Sequence, residues 1–259
     1  MERELEIEIA QSLEITPELL PYVNELTADL WALGSNPELY VEILKPLGLP
    51  PDTTKALDLG CGKGAAAVTL AKELGYRVIG LDWCGKFIEE AQRKAQEYSV
   101  SNLCSFIQTD IRSAVNDYTG FDIAVFSSVG DALGNLEQAV MQIRRAVKPG
   151  GYMLIDDSFL KEPVDIDRWG YEYCASYEET IRRLTAQGDT IVKEIIFTDD
   201  DMKAMNEEYT GYLTKRAERL ADKHPELTGA LKWYLDNQMV ECGILEKYLF
   251  GAVWLLKRE

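Results

Sequence analysis

The chain has 259 residues, of which 46% are hydrophobic and 27% charged, a balance typical of one large soluble domain. Its formal net charge of −17 opposes binding to DNA or RNA, because phosphate contacts need clustered Lys and Arg side chains. The sequence contains no apolar stretch of about 18 residues, and its first residues are acidic. We therefore expect neither a membrane span nor a signal peptide.

Five cysteines, at positions 61, 84, 104, 174 and 242, form no Cys-x-x-Cys pair. Their odd number and wide spacing predict neither a disulfide framework nor a zinc site. Cysteines without disulfide partners are typical of proteins in a reducing compartment. We expect a cytoplasmic protein without a bound metal.

A glycine-rich segment starting at Leu57 reads Leu-Asp-Leu-Gly-Cys-Gly-Lys-Gly and joins a short apolar strand to a helix predicted over 65–74. Glycine has no Cβ, so positions 60, 62 and 64 can take positive φ and let backbone amides approach a ligand. Such loops cradle nucleotides, although glycines also end ordinary strands. The segments that follow decide between these two interpretations.

Four further apolar strands alternate with helical patterns after this loop. They are predicted over 76–82, 104–110, 121–128 and 152–157, the last of them after a helix at 136–147 and a turn at 148–151. Nearly continuous apolar runs of this kind predict a parallel sheet that is covered on both faces.

Polar residues stand at the carboxyl ends of these strands, where sheets of this type bind ligands. They are Asp58, Asp82, Asp110, Ser127 and Ser128. An acid at position 82 is placed to hold ribose hydroxyls. An acid at position 110 can accept a hydrogen bond from an adenine amine. The sequence therefore predicts one crevice that collects all five.

The order of motifs resembles the class I S-adenosylmethionine-dependent methyltransferases over roughly residues 55–160. After the glycine loop come Gly-Leu-Asp, Gln-Thr-Asp-Ile, Phe-Asp-Ile-Ala-Val-Phe-Ser and Val-Lys-Pro-Gly-Gly-Tyr. The resemblance implies a Rossmann-like, doubly wound α/β fold. Its seven-stranded sheet would be mostly parallel with an antiparallel last strand, and its cofactor would be S-adenosylmethionine.

The resemblance also implies roles for eleven residues. Around the methionine part it places Gly60, Cys61 by its backbone, Gly62 and Gly64, with Asp58 in support. At the ribose and adenine it places Asp82, Trp83, Asp110 and the Ile111 amide. Beside the methionine amine and the sulfonium it places Ser127 and Ser128. For some of these residues a purely structural role stays open instead of ligand binding. Asp58 can cap a helix or turn, Trp83 can pack in the core, and the two serines can form a turn.

A dinucleotide-binding oxidoreductase is the main alternative, because the string from Gly60 also satisfies Gly-x-Gly-x-x-Gly/Ala, with Asp82 about 20 residues downstream. Three features favour methyl transfer: Asp58, Asp110, and a pair of C-terminal strands predicted over 190–197 and 248–257. A protein that binds S-adenosylmethionine without turnover is a further alternative.

Outside the sheet, residues 1–50 are predicted to form a helical cap segment before a methyltransferase domain over 51–259. Thr16 and Asn36 each precede a proline, which predicts helices at 17–33 and 37–47. The aromatic residues Tyr22, Trp31 and Tyr40 on these helices either line the pocket or pack in the core.

A second addition, an insertion at 199–246, reads as two helices over 200–222 and 225–242 that are broken at His224-Pro225. An insertion of this size is a candidate lid or dimer element. Both a monomer and a homodimer are compatible with the sequence, and His224 is expected to be an exposed turn residue.

Methyl transfer requires mainly alignment and exclusion of water, so a dedicated base is optional and no catalytic residue is assigned. Asp131, Asp156 and Asp157 follow the fourth and fifth strands and are candidates to accept a proton. The loop lacks the Asn/Asp-Pro-Pro-Tyr/Phe string of methylases that act on nucleic acid bases and protein glutamine. We therefore expect a small-molecule acceptor.

Overall fold

The computed structural model describes residues 2–259, with side chains from residue 6 onward. Its sheet has the strand order β3-β2-β1-β4-β5-β7-β6. The seven strands are β1 Lys55–Leu59, β2 Arg77–Asp82, β3 Cys104–Gln108, β4 Phe121–Ser127, β5 Val147–Leu160, β6 Thr190–Ile196 and β7 Leu249–Lys257. Strands β1 to β5 pair in parallel and β6 pairs antiparallel with β7, which confirms the predicted fold class.

Ten α-helices lie within the described part of the chain. They are α1 Glu2–Ser12, α2 Val23–Leu26, α3 Pro37–Leu44, α4 Ala65–Leu74, α5 Gly85–Glu97, α6 Ile111–Ala114, α7 Leu136–Ala146, α8 Tyr177–Thr185, α9 Asp199–Lys223 and α10 Thr228–Tyr248. None of them combines the length and the apolar character that crossing a lipid bilayer requires.

The chain divides into two compact units. The larger unit consists of Ala32–Phe197 and Phe250–Glu259 and contains the whole sheet apart from the first residue of β7. The smaller unit consists of the residues up to Trp31 together with Thr198–Leu249, and it is helical.

The centre of the sheet is apolar on both faces, which explains the uninterrupted hydrophobic strands. All residues of β1 after Lys55 are buried, as are six of the seven residues of β4. On the face that carries α7 and α8, a continuous core includes Leu57, Phe126 and Trp254. The indole Nε1 of Trp254 donates to a Glu194 oxygen at 2.7 Å, so the one polar atom of this buried ring has a partner.

The smaller unit contains the predicted insertion as a pair of packed helices, α9 and α10. Thr198 and Asp201 form a reciprocal capping box at the start of α9. His224 ends that helix and precedes the 3₁₀ turn Pro225–Leu227, so the predicted break is confirmed. The His224 ring is partly exposed and lies 4.8 Å from the Tyr22 ring, measured between centroids.

The helix predicted over 17–33 is wrong. The structure has a 3₁₀ segment, Pro17–Tyr22, followed by the single turn α2, and the Thr16 side chain caps neither. Pro21 lies within the segment and has no amide hydrogen to donate, so a regular α-helix cannot run through it. The helix predicted over 37–47 is observed as α3, which Asn36 caps, and a following 3₁₀ turn, Lys45–Leu47.

The turn predicted at 148–151 is also wrong, because these residues belong to β5. The pairing of β4 with β5 shifts register there, from Phe121 opposite Val147 to Ile123 opposite Tyr152. The extra residues form an irregularity within the strand and do not precede it.

We predict that Gly151→Ala destabilises the protein by about 2 kcal/mol, because a close-packed site must shift to admit a methyl group. A Cβ at Gly151 would lie 2.7 Å from the Asp122 carbonyl oxygen and 2.7 Å from a Val147 methyl. The measurement is the free energy of unfolding in urea. Gly211→Ala in α9 is the control, since its Cβ meets nothing within 4 Å and helix propensity should add about 0.5–1 kcal/mol. Equal midpoints for the Gly151 variant and the wild type would contradict the packing argument.

Candidate cofactor-binding site

The glycine loop between β1 and α4 has the left-handed backbone that its sequence predicts. The φ angles of Gly60, Gly62 and Gly64 are +73°, +50° and +76°. A Cβ at Gly60 would lie 2.7 Å from a Val129 methyl, and one at Gly64 would lie 2.8 Å from the Ala91 Cβ. The conformation therefore favours glycine at all three positions, and close approach also requires it at Gly60 and Gly64.

The loop amides do not face outward as the sequence suggested. The amides of Gly60 and Cys61 donate to the Leu81 carbonyl at 2.8 and 2.9 Å, and the Gly64 amide donates to the Cys61 carbonyl at 2.8 Å. The Gly62 amide donates to an Asp82 oxygen at 2.9 Å. The loop can still offer a ligand its carbonyl oxygens, each of which can accept two hydrogen bonds, and the open side of Gly62, where a Cβ would meet only Leu33, at 3.5 Å.

Asp82, at the end of β2, fastens this loop to the neighbouring strand. One carboxylate oxygen accepts from the Gly62 amide at 2.9 Å and the other from the Cys84 amide at 2.8 Å. Burial raises the pKa of Asp82, and the two amides oppose that rise. Each oxygen has a second lone pair, so the carboxylate can still accept from ligand hydroxyls, as predicted for the ribose.

Asp58, the last residue but one of β1, has a buried oxygen without a partner. Its Oδ2 makes no hydrogen bond within the described residues, while the Ala67 amide bonds the same carboxyl group. Burial raises the pKa of Asp58 to about 7, and the charge of Asp82 adds to the rise. A buried acceptor of this kind is costly unless something donates to it, so it marks a place for a donor or a cation.

Asp110 and Trp83 are brought together by a residue that the sequence analysis missed, Arg112. The Asp110 carboxylate accepts from the Arg112 amide at 2.8 Å and pairs with its guanidinium at 2.7 Å. The Arg112 guanidinium carbon lies 5.1 Å from the Trp83 ring centroid. Asp110 is thus the N-cap of α6, which begins at Ile111, and a planar cation lies over the indole that was predicted to flank adenine.

Ser127 and Ser128 have different environments at the end of β4. Ser127 is buried and its hydroxyl contacts the Tyr40 hydroxyl and the Asp156 carboxylate. Ser128 is exposed, with a φ of +54° that is unusual for a residue with a side chain. Its hydroxyl donates to the Gly34 carbonyl at 2.9 Å. Strain of this sort persists where surrounding contacts enforce it, often at functional sites.

The two consecutive acids of β5 lie on opposite faces of the sheet, because successive side chains of a strand alternate. Asp156 contacts Tyr40 of α3. Asp157, with Asp131, lines a small cavity of about 50 Å³ on the side of Tyr173 and Thr180. Burial and the charge of Asp131 raise the pKa of Asp157 to about 6.

The strand registers place four polar residues on one face of the sheet. Asp58 lies opposite Gly80 of β2 and Val125 of β4, so Asp82 and Ser127, two residues further on, share its face. Asp156 pairs with Ser127 and joins them. Of the five residues predicted to share one crevice, the register thus places Asp58, Asp82 and Ser127 on one face.

A larger cavity, of about 320 Å³, lies at the other end of the strands. Its lining includes Lys55, Arg77 and Phe121, which begin β1, β2 and β4. Ligands of parallel sheets bind at the carboxyl ends, so this cavity is not the expected cofactor site. Across the described residues, no group of three or more His, Cys, Asp or Glu side chains is arranged to hold a metal ion.

Known proteins match this chain over about half of its length. Two relatives are a protein named YjhP from Escherichia coli, 30% identical over 125 residues, and the 2-methyl-6-phytyl-1,4-hydroquinone methyltransferase of Synechocystis, 28% identical over 155 residues. The matched stretches cover 48% and 54% of this chain and 50% and 47% of those proteins. The chain thus spans about half the length of these relatives.

Among solved structures, a SAM-dependent methyltransferase from Thiobacillus denitrificans, crystallised with S-adenosyl-L-homocysteine, has the same fold. The TM-score is 0.76 at 20% sequence identity, and the superposition covers 92% of this chain and 98% of that one. At this identity the similarity establishes the fold alone. The sequence model of the methyltransferase domain matches residues 51–217, most of the chain. The chain therefore belongs to the methyltransferase domain family, as the resemblance of its motifs predicted.

Proposed function

We propose that the protein transfers a methyl group from S-adenosylmethionine to a small-molecule acceptor. The observation that carries this proposal is the convergence of the glycine loop, Asp82 and the partnerless oxygen of Asp58 on one edge of a methyltransferase-family sheet. The S-adenosyl-L-homocysteine bound in the Thiobacillus structure and the name of the Synechocystis relative, a methyltransferase, support the same activity.

The residues at this edge fit the chemistry of S-adenosylmethionine. The Asp58 oxygen and the loop carbonyls are acceptors that suit an ammonium group. We propose that the methionine part lies along the backbone of Gly60, Cys61, Gly62 and Gly64, on the side of Gly62, where a Cβ would meet only Leu33, at 3.5 Å. Asp82 offers free lone pairs to the ribose hydroxyls. Ser127 and Ser128 would lie beside the sulfonium.

For the adenine, we propose Trp83 as the stacking surface and Asp110 with the Ile111 amide as the polar edge. The guanidinium of Arg112 lies over the same indole and bonds Asp110, so it must either stack on the base as well or move aside. Arg112 is thereby added to the eleven residues that the sequence suggested.

When bound, S-adenosylmethionine supplies a methyl group that its sulfonium already activates for in-line attack. The chain has to bind, align and exclude water. A proton released by a hydroxyl or amine acceptor can be taken up by Asp156 or Asp157, whose pKa values burial raises to about 7 and about 6. Both carboxylates thus exchange protons near neutral pH.

A small-molecule acceptor is supported by the net charge of −17, which disfavours polyanions, and by the hydroquinone in the name of the Synechocystis relative. All five cysteines are free thiols, which supports our proposal of a cytoplasmic location. We also propose that residues 1–50 form a cap segment for the methyltransferase domain of 51–259, and that residues 199–246 form a lid or a dimer element. For the oligomeric state, we propose a monomer or a homodimer.

Calorimetric titration with S-adenosylhomocysteine, followed by NAD and NADP, tests the proposed cofactor. We expect binding of the first and none of the other two, and the reverse result would favour a nicotinamide-dependent enzyme. Incubation with radiolabelled S-adenosylmethionine and a metabolite extract then tests turnover. Tight binding without any labelled product would favour a protein that binds the cofactor without catalysis.

We predict that Asp82→Ala weakens S-adenosylhomocysteine binding by roughly 2–4 kcal/mol, because ribose hydroxyls lose a charge-assisted acceptor and the Gly62 amide loses its anchor. Calorimetry on the folded variant provides the measurement. Asp122→Ala, which removes a carboxylate paired with Lys148 near the start of β4, is the matched control and should bind normally. An unchanged affinity in the Asp82 variant would rule out its assignment.

The glycine loop gives a second prediction. Gly62→Val should abolish cofactor binding while the fold persists, since a branched side chain is placed where φ is +50° and Leu33 lies 3.5 Å from the new Cβ. Gly120→Val is the control, because its φ of +80° imposes similar strain in open space. Binding at wild-type strength by the Gly62 variant would make the loop purely structural.

The third prediction concerns pH. Burial raises the pKa of Asp58 to about 7, above its ordinary value of 3.8, so its contribution to stability is complete below pH 4 and is lost as the pH rises through 7. Ionisation of Asp58 should lower the free energy of unfolding by about 1.4 kcal/mol between pH 6 and pH 8. In Asp58→Asn this decrease should be absent, so the free energy of unfolding should fall less over the same range. Urea unfolding at both pH values measures this, and identical pH slopes in variant and wild type would refute the assignment.

A further inference from the structure

A buried cluster links α3 to the ends of β4 and β5. The Tyr40 hydroxyl donates to Asp156 Oδ2 and also contacts the Ser127 hydroxyl. The Ser127 hydroxyl lies 3.4 Å from the same Asp156 oxygen. Tyr40 is wholly buried, and the other two side chains are almost so. Such a cluster is far more polar than core packing of an aromatic residue requires.

The backbone of α3 fixes the direction of the Tyr40 hydroxyl. The Asn36 amide donates to this hydroxyl oxygen at 3.1 Å, and the Asn36 side chain caps the same helix through the Leu39 amide at 3.2 Å. With its oxygen accepting from the backbone, the phenol is oriented to direct its proton to Asp156. The carboxylate thus receives a hydrogen bond that favours its ionised form.

Asp156 is left with one oxygen for other partners. Within the described chain, hydrogen bonds to this carboxylate converge on Oδ2, and none reaches Oδ1. The groups that shift its pKa are Tyr40 of α3, Ser127 of β4 and Asp157 of its own strand, and none carries a positive charge. Burial raises this pKa to about 7, with a smaller rise from Asp157, while Tyr40 and Ser127 lower it.

The position of the cluster relates it to the cofactor edge. Ser127 immediately follows Phe126, which pairs with Leu59 next to the glycine loop, and Asp156 pairs with Ser127 one strand further. Adjacent strands lie about 4.8 Å apart, so Asp156 is about two strand spacings from the loop. At that range a buried charge acts on a charged ligand without direct contact.

We propose that Tyr40 is a positioning residue that holds Asp156 as a counter-charge for the sulfonium, so that the site favours the cationic methyl donor over its neutral product. This inference rests on the proposed function. S-Adenosylmethionine and S-adenosylhomocysteine share the amine, carboxylate, ribose and adenine, and they differ by one methyl group and one positive charge. The contacts that the two ligands share therefore cancel in the ratio of their affinities, and the change of this ratio in an Asp156 variant isolates the effect of that carboxylate.

The test is calorimetric titration of both ligands between pH 6 and pH 9. For the wild-type protein, we expect S-adenosylmethionine to gain about fivefold in affinity relative to S-adenosylhomocysteine as Asp156 ionises, the factor expected for a screened charge at this range. In Asp156→Asn, most of this change in the ratio should be lost, and what remains is assigned to Asp58, whose pKa burial also raises to about 7. These two measurements do not require the Tyr40 variant to fold.

Tyr40→Phe gives the decisive readout for positioning. The Tyr40 hydrogen bond lowers the pKa of Asp156, so its loss should raise that pKa. The pH at which the change in the affinity ratio is half complete should then rise by about one pH unit. Donor binding is then weaker at pH 7 and recovers at pH 9. Tyr76→Phe is the matched control, another buried tyrosine, which stands before β2 and outside the cluster. It should reproduce the wild-type profile.

The outcomes separate the two proposals. If neither ligand binds the wild-type protein, the proposed function fails and this inference fails with it. If both bind but the affinity ratio does not change with pH, the counter-charge role is wrong and the proposed function stands. If Tyr40→Phe weakens both ligands equally at every pH, Tyr40 is a packing residue only.

Discussion

The carboxylate of Asp82 is the interaction on which the cofactor edge depends. Three glycines in left-handed conformation cannot satisfy their own amides as a helix would, and buried amides need partners. Strand β2 supplies partners for the Gly60 and Gly62 amides through the Leu81 carbonyl and the Asp82 side chain, and the Gly64 amide donates to the Cys61 carbonyl within the loop. The geometry of the loop is therefore set by a neighbouring strand, and this explains why a glycine string and a downstream acid occur together.

Burial of acidic side chains on one face of the sheet costs stability that their hydrogen bonds offset only in part. Burial raises the pKa of Asp58, Asp82 and Asp156, and Asp58 and Asp82 also repel each other. Replacement of such groups by apolar residues of similar size would ordinarily stabilise a protein. Their presence at the edge where ligands bind is what a site for a cationic ligand requires, because the ligand's charge then provides the missing compensation.

Local patterns allowed the first part of the fold to be predicted closely. Helix α4 has the predicted limits, and β2 begins one residue later than expected, because an apolar run, a glycine loop and a helical period all act within a few residues. The failure at 17–33 has an equally local cause, since Pro21 outweighed the capping signal before it. The missed strand residues at 148–151 show that glycine and proline also occur in a strand irregularity.

The sequence suggested the residues of the proposed site, but not the directions in which their hydrogen-bonding groups point. Positive φ at the glycines followed from the sequence, whereas the orientation of their amides toward β2 depends on pairing that no local pattern encodes. The link of Tyr40 to Ser127 and Asp156 spans 87 and 116 residues of sequence, so only the folded sheet reveals it. Arg112 was missed for the opposite reason, because a basic residue in the first turn of a helix is usually a solvated one.

Alternation along β5 gives neighbouring acids different roles. Asp156 is held by two hydroxyls on the face shared with Asp58, whereas Asp157 accepts from the Ser158 amide at 2.7 Å and lines a separate cavity with Asp131. The two hydroxyls oppose the effect of burial on Asp156, yet its pKa of about 7 stays above the value of about 6 for Asp157. Asp157 is therefore the more fully ionised of the two at neutral pH. The period of the strand thus places one acid on the face of the cofactor edge and the other in a separate cavity.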